Sequence, residues 1–130
     1  MKRRTCLKTM LMGAAASAAL PAADTARPIL LYVDMSVDPA KEKEMLKHFE
    51  TVFRPAASKQ PGYIDVKLLK LRSTISGKAP AGVNYRFALT FQSEELRQKW
   101  IKTEVHQKVW PPIEDMLTTK DYTTLLFDAY

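Results

Sequence analysis

The chain has 130 residues, with twenty lysines and arginines against fourteen acidic residues and a net charge of +6. That length suits one domain. Four of the basic residues and none of the acidic ones fall in residues 1–23, leaving sixteen against fourteen, a balance without any dense Lys/Arg run that argues against nucleic-acid binding. The single cysteine, Cys6, leaves the rest of the chain without a disulfide, a Cys-ligated metal or a thiol nucleophile.

Lys2, Arg3, Arg4 and Lys8 precede an apolar, Ala-rich stretch from Met10 to Leu20. This order predicts a signal peptide, since the apolar run falls short of the ~20 residues that span a bilayer. Arg3-Arg4 followed by Leu7-Lys8 resembles a twin-arginine signal, with Cys6 where such signals usually carry Phe. Cleavage is expected after Ala18 or within residues 20–23. Residues 1–26 are therefore read as signal and linker and residues 27–130 as the domain, periplasmic or secreted, with no membrane insertion once the signal is removed.

Residues 29–37 are almost wholly apolar and predict a first strand. Asp38-Pro39 supplies an N-cap and a proline in the first helical turn. Met45, Phe49, Val52, Phe53 and Ala56 then recur at helical spacing, up to Pro61-Gly62, with Pro55 expected to kink the last turn. Residues 63–72 alternate as a second strand, residues 73–84 form a loop and residues 85–91 a third strand. Ser93 caps a second helix, which is expected to run through Trp100, Val105 and Val109 to a break at Pro111-Pro112. Residues 122–130 form the last strand. The order βαββαβ predicts an α+β, ferredoxin-like domain: a four-stranded antiparallel sheet with two helices on one face.

The other face of that sheet is expected to be apolar too. The first strand places Leu30 and Tyr32 there, and the last strand Leu125 and Phe127. Two sheets packed face to face in a homodimer would cover both.

No phosphate loop, HExxH or G-x-S-x-G motif is present, and two histidines cannot make a three-histidine metal site within one chain. His106 stands out, between the only two tryptophans, Trp100 and Trp110. On one continuous helix it would neighbour Trp110 but lie about 120° away from Trp100. A neutral imidazole there suits a base or hydrogen-bond donor, or else a rim residue without chemistry. His48 reads as a solvated surface histidine. Asp34 and Arg86, on adjacent strands, are expected to pair, with Tyr32 on the same strand face as Asp34.

Over residues 28–130 the element order, the length and the run from Ser93-Glu94-Glu95 through Trp100, Glu104, His106 and Leu117 resemble the dimeric α+β barrel superfamily, within it the antibiotic-biosynthesis-monooxygenase-like domains. The resemblance implies a homodimer and an activity such as cofactor-independent oxidation of small aromatic or polyphenolic molecules, with no cofactor and no metal. The alternative is a non-catalytic exported domain that binds a small hydrophobic ligand. Candidate catalytic residues are His106, Trp100 and Tyr32; candidate substrate-binding residues are Arg86, Asp34 and Trp110. The haem-degrading branch carries a first-strand Asn, a second-helix Trp and a His ten residues later. Trp100 matches the Trp, but Trp110 stands where the His belongs and the first strand offers Asp34, so two of the three positions depart.

Overall fold

The computed structural model describes residues 27–130; the signal-like segment and its twin-arginine pattern lie outside the described residues. Strand β1 (Ile29–Met35) is central, with Ile29, Val33 and Met35 buried. Asp38 then accepts a hydrogen bond from the Ala40 N–H at 2.9 Å and opens a 3-10 turn, Pro39–Lys41. Helix α1 (Glu42–His48) follows, then a π-helical turn, Phe49–Phe53, and helix α2 (Arg54–Ser58). The π turn sits just before the expected irregularity at Pro55. The Arg54 N–H bonds back to the Phe49 carbonyl, and the widened turn accommodates a proline that has no N–H to give and whose ring would crowd a regular turn.

Gly62 carries the chain into strand β2 (Tyr63–Lys70) at a φ of +88°, and a Cβ there would stand 2.6 Å from the Leu96 side chain. Both the left-handed backbone and the close approach call for glycine. Strand β3 (Tyr85–Phe91) returns after the loop.

The second helical region differs from the expected continuous helix. Ser93 caps helix α3 (Glu94–Ile101) through the Leu96 N–H at 3.2 Å, but the helix stops there. Thr103 caps a new helix, α4 (Glu104–Val109), by accepting from the His106 N–H at 3.1 Å. The break thus precedes Pro111-Pro112, which instead open a short further helix, α5 (Pro111–Glu114). Strand β4 (Thr123–Asp128) completes the sheet.

The strand order is β2-β3-β1-β4, antiparallel throughout. This is the ferredoxin-like arrangement expected, with the helices on one face. Phe49, Phe53, Phe87, Trp100 and Ile113 fill the layer between. Every residue of β4 is exposed, and on the uncovered face Leu125 and Phe127 remain 39% and 48% exposed. Among the described residues no helix is long and apolar enough to cross a membrane.

A candidate aromatic-ligand cavity beneath the second helical region

The break at Thr103 decides where His106 sits. Restarting the helix at a capped residue turns His106 back over Trp100, so that their rings meet edge to face at 5.0 Å. On its other side His106 stacks on Trp110 at 6.2 Å, with 15° between the planes. The expectation that His106 and Trp110 are neighbours holds; the expected separation from Trp100 does not, because the two residues belong to different helices.

The three rings share the wall of a cavity of about 140 Å³ between the sheet and helices α3 and α4. Val33, Phe53, Phe87, Leu89 and Trp100 line it as buried residues; Leu31, Ile101, His106, Trp110 and Tyr122 are half-buried, and Thr124 is exposed. Among the described residues neither ring nitrogen of His106 has a hydrogen-bond partner; its backbone N–H donates to Thr103 Oγ1 and its carbonyl accepts from the Trp110 N–H. Burial pushes the imidazole pKa down from its ordinary value. The nearby Arg97 guanidinium adds to this, and the Glu114 carboxylate opposes it. The ring is therefore neutral at pH 7. Arg97 is fixed by a bidentate pair with Glu94, at 2.6 and 2.7 Å.

A second polar group adjoins the first. The Tyr122 hydroxyl donates to Glu114 Oε2 at 2.8 Å and accepts from Trp110 Nε1 at 3.3 Å. Burial, then this bond to a carboxylate, raises the phenol's pKa, so Tyr122 keeps its proton at neutral pH. Nothing in the sequence pairs Tyr122 with Glu114, eight residues apart across an irregular turn. Thr103 did carry a signal: a threonine followed at once by Glu104, an N-cap with an acidic residue in the first turn.

The structure divides the candidate residues into two groups. His106, Trp100 and Trp110 meet at the cavity. Tyr32, Asp34 and Arg86 lie on the opposite, uncovered face of the sheet and do not line it. There the expected pair forms: Asp34 and Arg86 face each other in register, and the guanidinium donates to both carboxylate oxygens, at 2.7 and 3.0 Å. The carboxylate side chain is 7% exposed and the arginine 45%. The guanidinium also lies 4.9 Å from the centre of the Tyr32 ring. A further correction concerns His48, expected at the surface. It is half-buried, and its Nε2–H donates to the Val109 carbonyl at 2.8 Å, so it ties the end of α1 to the end of α4 and occupies an otherwise orphan helix-terminal acceptor.

Among the described residues no group of three or more His, Cys, Asp or Glu is placed to hold a metal ion. A haem does not fit the residues present. The cavity has the volume of a single aromatic ring, and His106 is wedged between two indoles.

No protein-family model matches the sequence, and no match is found among curated proteins. Solved structures do match. A variant of SnoaB, a cofactor-independent oxygenase from Streptomyces nogalater, aligns with a TM-score of 0.63 at 15% identity, covering 80% of this chain and 94% of that one. An antibiotic-biosynthesis-monooxygenase-type protein from Caulobacter crescentus CB15 gives 0.64 at 17%, covering 82% and 92%. A dimeric ferredoxin-like protein of unknown function from Jannaschia sp. CCS1 gives 0.63 at 13%, covering 79% and 98%. What these matches share with this chain is the fold, a ferredoxin-like four-stranded antiparallel sheet with helices on one face.

Proposed function

We propose that the protein is a cofactor-independent monooxygenase that oxidises a small phenolic molecule in the His106 cavity. One observation carries this reading: a neutral imidazole with no hydrogen-bond partner for its ring nitrogens, held between Trp100 and Trp110 at the edge of an apolar cavity. Such a base accepts the phenolic proton. The resulting phenolate is electron-rich, and the apolar walls limit its hydration. Oxygen then takes its electrons from the ring itself. One oxygen atom forms the new quinone carbonyl, replacing a ring hydrogen. The other leaves as water, carrying the two hydrogens lost from the phenol. No outside reductant enters the balance. Trp100 and Trp110 form the walls that position the ring, and Tyr122 offers a polar edge near the base.

Oxygen uptake with a panel of phenols, hydroquinones and anthrones, wild type against His106→Ala, tests the reading. Uptake that falls by about a hundredfold without His106 is the expected result for a lost general base. Saturable binding without turnover would assign the cavity to a non-catalytic ligand-binding domain instead.

The same reading includes a homodimer. Leu30, Tyr32, Leu125 and Phe127 share the uncovered sheet face, and their partly exposed apolar surface is the kind a second sheet covers. Leu125→Asp should give a monomer by light scattering; a wild-type protein already monomeric at tens of micromolar refutes the dimer. It also includes export directed by residues 1–26, of the twin-arginine type, to the periplasm or beyond. Cell fractionation that recovers only full-length cytoplasmic protein refutes that part.

A further inference from the structure

The lining of the cavity divides by burial, and that division bears on what can enter. Its fully buried residues are all apolar: Val33, Phe53, Phe87, Leu89 and Trp100. Its polar groups, His106, Tyr122 and Thr124, all belong to the half-buried or exposed part. Among the described residues no side chain with a formal charge lines it, and the Glu114 carboxylate is engaged with the Tyr122 hydroxyl. The volume, about 140 Å³, compares with the roughly 150 Å³ apolar cavity that accepts benzene and is well below the ~300 Å³ at which drug-sized ligand pockets begin. The closed end cannot easily yield. Phe53 packs on Phe87, Trp100 and Trp110 with ring centres 5.2 to 6.1 Å apart, a cluster in which a shift of one ring displaces the others.

We propose that the cavity selects neutral single-ring phenols, taken ring first, with the hydroxyl at the His106–Tyr122 rim and the para carbon at the closed apolar end. This rests on the reading of the cavity as an aromatic-ligand site and narrows it to a substrate class. A second fused ring has no room at the closed end. A carboxylate para to the hydroxyl would be buried against Val33, Phe87 and Leu89 without a cation or a hydrogen-bond donor, a cost that charged groups do not recover. A para methyl group, by contrast, adds apolar contact where the wall is apolar. The ring nitrogen of neutral His106 that carries no hydrogen gives the phenolic O–H its acceptor.

Calorimetric titration of the protein at pH 7 with phenol, 4-methylphenol, 2-naphthol and 4-hydroxybenzoate tests this. The indole N–H signals of Trp100 and Trp110, the only tryptophans, report whether each ligand enters the cavity. Phenol and 4-methylphenol should bind saturably and shift both signals. 2-Naphthol and 4-hydroxybenzoate should bind about tenfold more weakly or worse, as overpacking and charge burial require. Leu89→Ala, which lengthens the closed end, should bring 2-naphthol to within a few fold of phenol; should that variant not fold, Val33→Ala makes the same test with a smaller truncation. If 2-naphthol or 4-hydroxybenzoate binds the wild type as tightly as phenol, single-ring selection is overturned and the aromatic site stands. If none of the four perturbs the indoles, the site reading itself falls, and this inference with it.

Discussion

The two faces of the sheet are built from the same strands, one residue out of step. On the helix side, Val33, Phe87 and Leu89 meet Phe53, Trp100 and Trp110, and the imidazole held between the two indoles, His106, carries no charge at pH 7. On the other side, Leu30, Tyr32, Leu125 and Phe127 surround a charged pair, Asp34 and Arg86, that no helix covers. A covered face tolerates a neutral base because the protein has displaced the water that would charge it. An uncovered face can hold a buried carboxylate only because an arginine satisfies both of its oxygens. The helix face therefore suits proton chemistry on a small apolar ligand, and the open face suits a partner.

The strongest test of that contrast is Trp100→Ala. Trp100 is 2% exposed and packs on both Phe53 and His106, so its loss should cost about 3–5 kcal/mol by urea unfolding; a cost below about 1 kcal/mol would mean that the helix face is not the core. Arg86→Ala probes the open face and should cost about 2 kcal/mol, since it leaves the Asp34 carboxylate buried without a donor. Arg86→Ala combined with Asp34→Ala should recover part of that loss, which a merely apolar role for Arg86 would not allow. Thr103→Ala removes the cap of α4, for about 1 kcal/mol of stability, and should also raise the pKa of His106 in an NMR titration by loosening its burial.

The smallest effect is in pH. His106 has a folded pKa below its unfolded value of about 6.5. Between those two values the unfolded chain binds more protons, so stability is full above the unfolded value and falls as the pH drops toward the folded one. The charged groups that act on His106 are Arg97 and Glu114. Wild type should lose stability between pH 7 and pH 5 more steeply than His106→Gln; equal slopes would mean that His106 is not held neutral by the fold.

Much of this molecule is legible in the order of its residues. Period-two alternation marks β2 and β3 and an apolar run marks β1, helical spacing marks the face carrying Met45, Phe49 and Phe53, and the order of elements brings Asp34 beside Arg86 across adjacent strands. Local capping chemistry explains the clearest miss. Thr103-Glu104 ended one helix and began another, and with that break the angular position of His106 relative to Trp100 changed. His48 departs from its expected surface position for a different reason: its partner is a carbonyl 61 residues away, and no local pattern reports a contact of that kind.

Architecture is written in the order of residues, because strand and helix periodicities are local and the βαββαβ order allows few ways to bury the apolar faces. The sequence also determines that both faces of the sheet carry apolar surface, and that His106 is the histidine set among tryptophans. Packing in three dimensions is what gathers Trp100, His106 and Trp110 at one cavity and leaves Tyr32, Asp34 and Arg86 behind the sheet. It alone joined Tyr122 to Glu114. Those outcomes depend on which face each strand residue takes and on one helix break, and a change of one residue in register or one turn of helix moves a side chain from the cavity wall to the opposite surface.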